Sequence, residues 1–248
     1  MTTDSQASQQ APGSEPQKIG IVGGGQLAGM LAEELKLQGA VCYSLDPDPQ
    51  SPAVTMGAVG VTGDRKNNAD IARLAAISDV VTVDLEDVSV EGLAEIAAAG
   101  HRVIPPVANL QRLTNKLEQK KILQQAGIPT SPFIECDASD NFDYGQLGWP
   151  VVQKAAQGGY DGRGVAILRN PEDAASHLQA PGYIEAFVAD VTELAVMVAR
   201  EPGGRTTVWN TVEMAFDPVN NLMTWLIAPA RCSAEISAAA QDFARRTV

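Results

Sequence analysis

The sequence predicts an α/β architecture: a parallel-sheet domain wound with helices, followed by a second domain of α+β character. Three observations carry this. KIGIVGGGQLAGMLAEELKLQG and the AVCYSLD after it read as strand, glycine turn, helix and strand, the βαβ unit of parallel sheets. Strands and helices go on alternating to about residue 108. Beyond that point a basic helix is followed by short apolar runs, two of which bracket the glycine-rich GGYDGRG. At 248 residues, 45% of them apolar, the chain is long enough to bury two cores.

The opening MTTDSQASQQAPGSEPQ has neither the cationic start nor the apolar centre of a secretory signal, and reads as a disordered tail over residues 1–17. Ile19, Ile21 and Val22 then form a buried strand, and Leu27, Met30, Leu31, Leu35 and the alanines mark a helix stopped at Gly39. Gly23, Gly25 and Ala28 fit G-x-G-x-x-A, with Asp46 at the distance of a ribose-binding acid. Two readings are open: a dinucleotide with its pyrophosphate on the helix N-terminus, or a tight turn whose helix end faces another ligand. PDPQSPA after Asp46 weighs against the first, because a proline-laden turn stands where a helix should frame the ribose.

Further along, residues 71–77 read as a helix and 80–83 as a strand ending on acids. Residues 93–99 form a helix stopped by Gly100, and 103–104 a short strand before two prolines. Open α/β sheets bind ligands at the carboxyl ends of their strands, which places Asp84, Glu86 and Asp87 near the glycine turn. A solvated acidic loop is the plain competing reading.

The formal charge of −12 speaks against a nucleic-acid-binding surface, while a local cationic pocket remains compatible with it. No run reaches the ~18 apolar residues of a membrane span. Cys42, Cys136 and Cys232 are odd in number, far apart and without metal spacing, so buried structural thiols in a reduced, cytoplasmic setting are expected.

In the second domain a basic amphipathic helix spans about 110–125, LGWPVVQKA forms a strand carrying Lys154, and VAIL forms its partner. A hairpin tipped with glycines offers backbone N–H groups to phosphates with no side chain in the way, and the lysine adds a point charge. No Walker A pattern is present, and no H-R-D or D-F-G of a kinase follows. YIEAFVADVTELAVMVAR places Glu185 at the end of one apolar strand and Glu193 at the start of the next. The first acid, beside free backbone N–H and C=O groups, suits an adenine edge; the second suits ribose hydroxyls.

The order QRLTNK, VQKAAQGGYDGRG, IEAFV and TELAVMVAR resembles the ATP-grasp superfamily. Within it the nearest resemblance is to the 5-(carboxyamino)imidazole ribonucleotide synthases, purine-biosynthesis ligases. GGGQLAGML resembles their GGGQLGRML, TVDLEDV their T-x-E-x-E-x-V, and residues 212–230 the region ahead of their last helix. The likeness covers about residues 18–248. It implies a Rossmann-like pre-ATP-grasp domain over 18–108, an ATP-grasp small subdomain with its linker helix over 109–192, and the start of the large subdomain over 193–248.

Carried over by position, Arg112 and Lys154 meet ATP phosphates, and Gly159, Tyr160, Asp161, Gly162, Arg163, Gly164 and Val165 form the phosphate loop. Glu185, Ala186, Phe187 and Val188 form the adenine hinge, and Glu193 holds the ribose. Lys154, Tyr160 and Arg163 are the catalytic candidates; Gly25, Gln26, Asp84 and Glu86 are candidates for contact with 5-aminoimidazole ribonucleotide. The implied reaction uses ATP and Mg²⁺ to activate bicarbonate as carboxyphosphate, which the substrate amine captures. A homodimer is implied for the full-length family, with no nucleic-acid or membrane partner.

Three positions depart from the family. Gly29 stands where many relatives carry Arg, Asp84 where Glu is common, and Phe216 where many have the His of E-N-x-H. The resemblance also puts the Mg²⁺ ligands on strands beyond the helix that begins near Ser233, so no metal ligand is expected in this chain. It reads as an incomplete enzyme, inactive alone, with loose packing after about residue 195. A NAD-dependent oxidoreductase, resting on Gly23, Gly25, Ala28 and Asp46, leaves GGYDGRG and Lys154 without a role. A non-catalytic nucleotide-binding module also competes, as does a different purine-pathway ligase or formyltransferase.

Overall fold

The computed structural model describes residues 15–139, 142–158, 164–217 and 223–248. The chain divides into two compact units, Met1–Thr114 and Asn115–Val248. The first runs β1 (Lys18–Val22), α1 (Gln26–Leu37), β2 (Val41–Asp46), α2 (Pro52–Thr55), β3 (Val59–Thr62), α3 (Asn68–Ala75), β4 (Val80–Val83), α4 (Val90–Ala98), β5 (Arg102–Val103) and α5 (Val107–Leu113). Its strands form one sheet in the order β3-β2-β1-β4-β5, with every neighbouring pair parallel.

Alternation along β1 feeds two cores. Ile19 and Ile21 face a cluster with Ala28, Ala32 and Cys42, while Val22 faces Leu45, Ile71, Leu74 and Leu93. The helix after β1 buries a different face from the one its large residues suggest. Ala28, Gly29 and Ala32 are inside, whereas Leu27 and Met30 are 69% and 59% exposed. Close approach is the reason: a Cβ on Gly29 would lie 2.4 Å from Met56 Sδ and 3.2 Å from the Pro52 carbonyl. The short α2 occupies part of the stretch expected to be a proline turn, with Pro52 at its first position, where a missing N–H costs nothing. Its four residues and the glycine-bearing β3 carry too little periodicity to be read from sequence.

The second unit runs α6 (Lys116–Gln125), β6 (Phe133–Cys136), β7 (Val151–Ala155), β8 (Val165–Leu168), a 3-10 turn (Asp173–Ser176), β9 (Gly182–Ala186), β10 (Glu193–Ala195), β11 (Val198–Arg200), β12 (Thr206–Val208), β13 (Val212–Phe216), β14 (Met223–Ile227) and α7 (Ala234–Thr247). Antiparallel pairs join β6-β9-β7-β8, β10-β13-β14 and β11-β12. Cys136, Tyr144, Val151, Leu168 and Ile184 form the core of the four-stranded sheet.

The single helix expected over 110–125 is two. The first ends at Leu113, and the Asn115 side chain accepts from the Leu117 and Glu118 amides at 3.0 and 3.1 Å, starting the second. TELAVMVAR forms two strands, β10 and β11, and TTVWNTVEM two more, β12 and β13. Cys42 and Cys136 are buried and Cys232 is half-buried, with no disulfide among them. No helix of the described residues is long and apolar enough to cross a membrane.

Candidate functional site

In the second unit the site begins with β7, where Val151, Gln153 and Ala155 point into the core and Val152 and Lys154 alternate to the other face. Gln153 fixes this strand by donating to the Leu178 carbonyl at 3.0 Å and accepting from its amide at 2.7 Å. The β7–β9 register sets Lys154 opposite Tyr183 and Val152 opposite Glu185, so Lys154 and Glu185 share a face on a diagonal. Ala155 pairs with Gly182, where a Cβ would lie 1.9 Å from the Lys154 carbonyl oxygen. Only glycine allows the two strands to meet there.

The start of α6 is pinned to the end of β7, since the Lys116 amide donates to the Ala156 carbonyl at 2.8 Å. Lys116 and Lys120, four residues apart on that helix, present their side chains on one face. Glu185 therefore receives two lysines, one on each oxygen. Lys154 Nζ lies 2.5 Å from Oε1 and Lys120 Nζ 2.6 Å from Oε2. The carboxylate is 10% exposed, Lys120 12% and Lys154 31%. Lys120 also donates to Thr130 Oγ1 at 2.5 Å and to the Ser131 carbonyl at 3.4 Å, with the Phe133 and Tyr183 rings 5.7 and 5.9 Å away.

Burial by itself would push the Glu185 carboxyl up, but its two ammonium partners outweigh it and hold the group below the ordinary carboxylate value. Burial, helped by the Glu185 charge, pushes the Tyr183 phenol up to about 12. Lys116, Lys120, Lys154, Thr130, Val165 and Tyr183 are among the walls of a cavity of about 340 Å³. Two cations against one anion leave a net positive charge beside that space, which suits an anionic ligand.

Of the residues expected from sequence, Lys154, Val165 and Glu185 come together here. Val165 stands opposite Lys154 in the β7–β8 register, and the Gly164 carbonyl accepts from the Ala155 amide at 2.9 Å. Gly159, Tyr160, Asp161, Gly162 and Arg163 lie outside the described residues. At the hinge two backbone amides have partners within the protein. Because β9 is a central strand, the Ala186 amide donates to the Pro132 carbonyl at 3.0 Å and the Phe187 amide to that of Pro150 at 3.4 Å. Phe187 and Val188 expose their side chains. Glu193 is exposed at the start of β10, in a different sheet, and Arg112 is exposed in the last turn of α5 in the first unit.

Sequence reading missed Lys116, Lys120 and Tyr183. The lysines' i, i+4 spacing was visible, but a basic helix face also reads as solvated surface.

In the first unit Gly25, Gln26 and Asp84 meet at the carboxyl ends of β1 and β4. The Gly25 amide donates to Asp84 Oδ2 at 2.9 Å, so a carboxylate caps the start of α1 and complements its dipole. A Cβ on Gly23 or Gly25 would lie 2.7 Å from the Asp84 side chain. Gln26 and Glu86 are exposed beside it. Asp84 thus holds the position where a dinucleotide pyrophosphate would rest, and Asp46 Oδ1 accepts from the Asp48 amide at 2.9 Å within its own turn. Asp87 is taken by Arg65 and Lys66. Glu213, from the stretch that departs from E-N-x-H, is buried and paired with Arg231, whose Nε lies 3.0 Å from Oε2. Among the described residues no group of three or more His, Cys, Asp or Glu side chains could hold a metal ion.

Residues 121–248 match the ATP-grasp domain model and residues 16–113 the ribonucleotide synthetase preATP-grasp domain model. The chain is 33% identical over 241 residues to the N5-carboxyaminoimidazole ribonucleotide synthase of Synechococcus elongatus, covering 95% of this chain and 60% of that protein. It is similar to the crystal structure of N5-carboxyaminoimidazole ribonucleotide synthetase from Thermotoga maritima, with a TM-score of 0.81, 34% identity and coverage of 94% and 60%. The Aspergillus clavatus synthase crystallised with ADP and 5-aminoimidazole ribonucleotide gives 0.82, 28%, and coverage of 94% and 62%. The chain spans about 60% of the length of the curated relatives it matches.

Proposed function

The chain belongs to the ATP-grasp family, and from that premise we propose that it binds ATP in the Lys154 cavity. There it serves the carboxylation of 5-aminoimidazole ribonucleotide by bicarbonate, through carboxyphosphate, to 5-(carboxyamino)imidazole ribonucleotide, ADP and phosphate. The observation that carries the ATP assignment is the group of two lysines on one buried carboxylate, with the more exposed lysine at the cavity. The reaction is supported by the relatives' activity and by a likeness that runs through 95% of the chain.

In this reading the Lys154 ammonium, with Lys116 beside it, neutralises phosphate oxygens, and Glu185 keeps Lys154 directed while the cavity is entered. Phosphoryl transfer asks mainly for positioning and charge neutralisation, which these groups supply. Mg²⁺ would supply further neutralisation of the phosphates when bound; the resemblance puts its ligands on strands that follow the last helix. Arg112, the hinge residues 185–188, Glu193 and the 159–165 loop with Tyr160 and Arg163 belong to the same proposal on the strength of the sequence resemblance. Gly25, Gln26, Asp84 and Glu86 stand at the strand ends where open α/β sheets bind ligands, and are proposed to contact the imidazole ribonucleotide. The resemblance also brings a homodimer, which light scattering tests.

Calorimetric titration with ATP tests the main assignment. Saturable binding is expected, weakened roughly 10- to 100-fold by Lys154→Ala, the worth of a charged hydrogen bond. Equal affinity in the variant would remove the site. Saturable NADH binding abolished by Asp46→Ala would favour the oxidoreductase instead.

A further inference from the structure

Lys120 has no donor left for a ligand. An ammonium carries three N–H groups, and Glu185 Oε2, Thr130 Oγ1 and the Ser131 carbonyl take all three. Lys154 differs, because Glu185 is its one partner among the described residues and its side chain is the more exposed of the two. We propose that Lys120 is a positioning residue for nucleotide binding: by sharing the Glu185 carboxylate with Lys154, it loosens that carboxylate's hold on the ammonium that engages the phosphates. The inference rests on the ATP reading above.

The charges explain why sharing matters. With both lysines present the group carries one net positive charge, and one of the carboxylate's two oxygens is engaged by Lys120. Without the Lys120 charge the group is neutral, and the whole anion acts on Lys154 at low exposure, where charge interactions are little screened. A phosphate would then have to compete with Glu185 for its only strong cation on β7. Lys120 is well placed for a static role: its ammonium is fixed by two oxygens of the 130–131 segment and framed by Phe133 and Tyr183.

The test is a double-mutant cycle read by ATP calorimetry on the full chain, with Lys120→Met, Glu185→Gln and the two combined. Lys120→Met is expected to weaken ATP binding on the order of tenfold, and to weaken it no further once Glu185→Gln is present. Lys120→Arg, which keeps the charge, is expected to restore most of the affinity. Should Lys120→Met fail to fold, Thr130→Val serves in its place. It leaves the lysine charge and its contact with Glu185, and should leave ATP affinity near wild type; a loss as large as that expected of Lys120→Met would overturn the inference. Wild-type affinity in Lys120→Met, or an equal loss in the Glu185→Gln background, would overturn the inference while leaving the ATP site standing. Failure of the unaltered chain to bind ATP would take down the nucleotide reading and this inference with it.

Discussion

The first unit's sheet and the small sheets after residue 190 are built from similarly apolar strands, yet they end in opposite environments. Around β1, β2 and β4, Ile21, Leu45, Ile71, Leu74 and Leu93 are fully buried. After residue 190 the described residues include two buried side chains, Thr211 and Glu213, both polar. The strand MTWLI exposes Trp225 at 71%, and α7 buries none of its side chains. Topology accounts for the difference. Parallel neighbours need a crossover, and a crossover helix lands on the sheet and covers it. Antiparallel neighbours such as β13 and β14 need only a short connection, which brings no cover. Apolar content predicts a strand; burial follows cover and place in the sheet, since antiparallel β9 at the centre of its sheet is buried while the parallel edge strand β3 is exposed.

The largest test of this comparison is Leu93→Ala, which should cost about 2–5 kcal/mol in urea unfolding, as for a close-packed core leucine. A loss below about 1 kcal/mol would mean that the first unit is as loosely packed as the second. The four-stranded sheet lies between the extremes, with one buried charge group, and acid sharpens its place. Because the folded Glu185 carboxyl is held below its ordinary value of 4.5, the stability it contributes is fully present above about pH 4.5. That stability is lost as the pH falls through the lowered value, at about 1.4 kcal/mol for each unit of lowering. Glu185→Gln should flatten this acid limb of the stability–pH curve; parallel curves for the two proteins would show that the carboxylate contributes nothing there.

Asn115→Ala should cost about 1 kcal/mol, the worth of a helix N-cap. Amide exchange localised to residues 116–120 would report it. The smallest effect belongs to the exposed face. Trp225→Ser should change stability by no more than about 0.5 kcal/mol, while reducing the binding of an apolar dye. A cost equal to that of Leu93→Ala would break the comparison, since it would show that face to be covered in solution.

What could be read from sequence follows the same physics. β4 and β8 were legible to the residue because each is a compact apolar run with clear limits. The α5–α6 break was not, because Thr114 and Asn115 sit inside a pattern that stays amphipathic on both sides and only the cap geometry separates the helices. Leu27, Met30 and the alanines marked α1 correctly; which face is buried was not legible, since the partner helix approaches where the residues are smallest. In the site, Lys154 and Glu185 stood out because strand ends and glycine loops concentrate ligand contacts. Lys120 did not, because nothing in a helix full of lysines and glutamines tells a reader which ammonium is turned inward.

The meeting of Gly182 and Lys154 has a consequence for how faults in this molecule would present. The clearance between the two strands at that point is one hydrogen atom wide, so even a methyl group at 182 must push aside the peptide that carries the lysine. A lesion there would look like damage to the cavity, although the residue has no functional group. A search for essential chemistry by side-chain type would pass over it. The tolerance of the whole cavity is set by a position where the chain has nothing to offer except room.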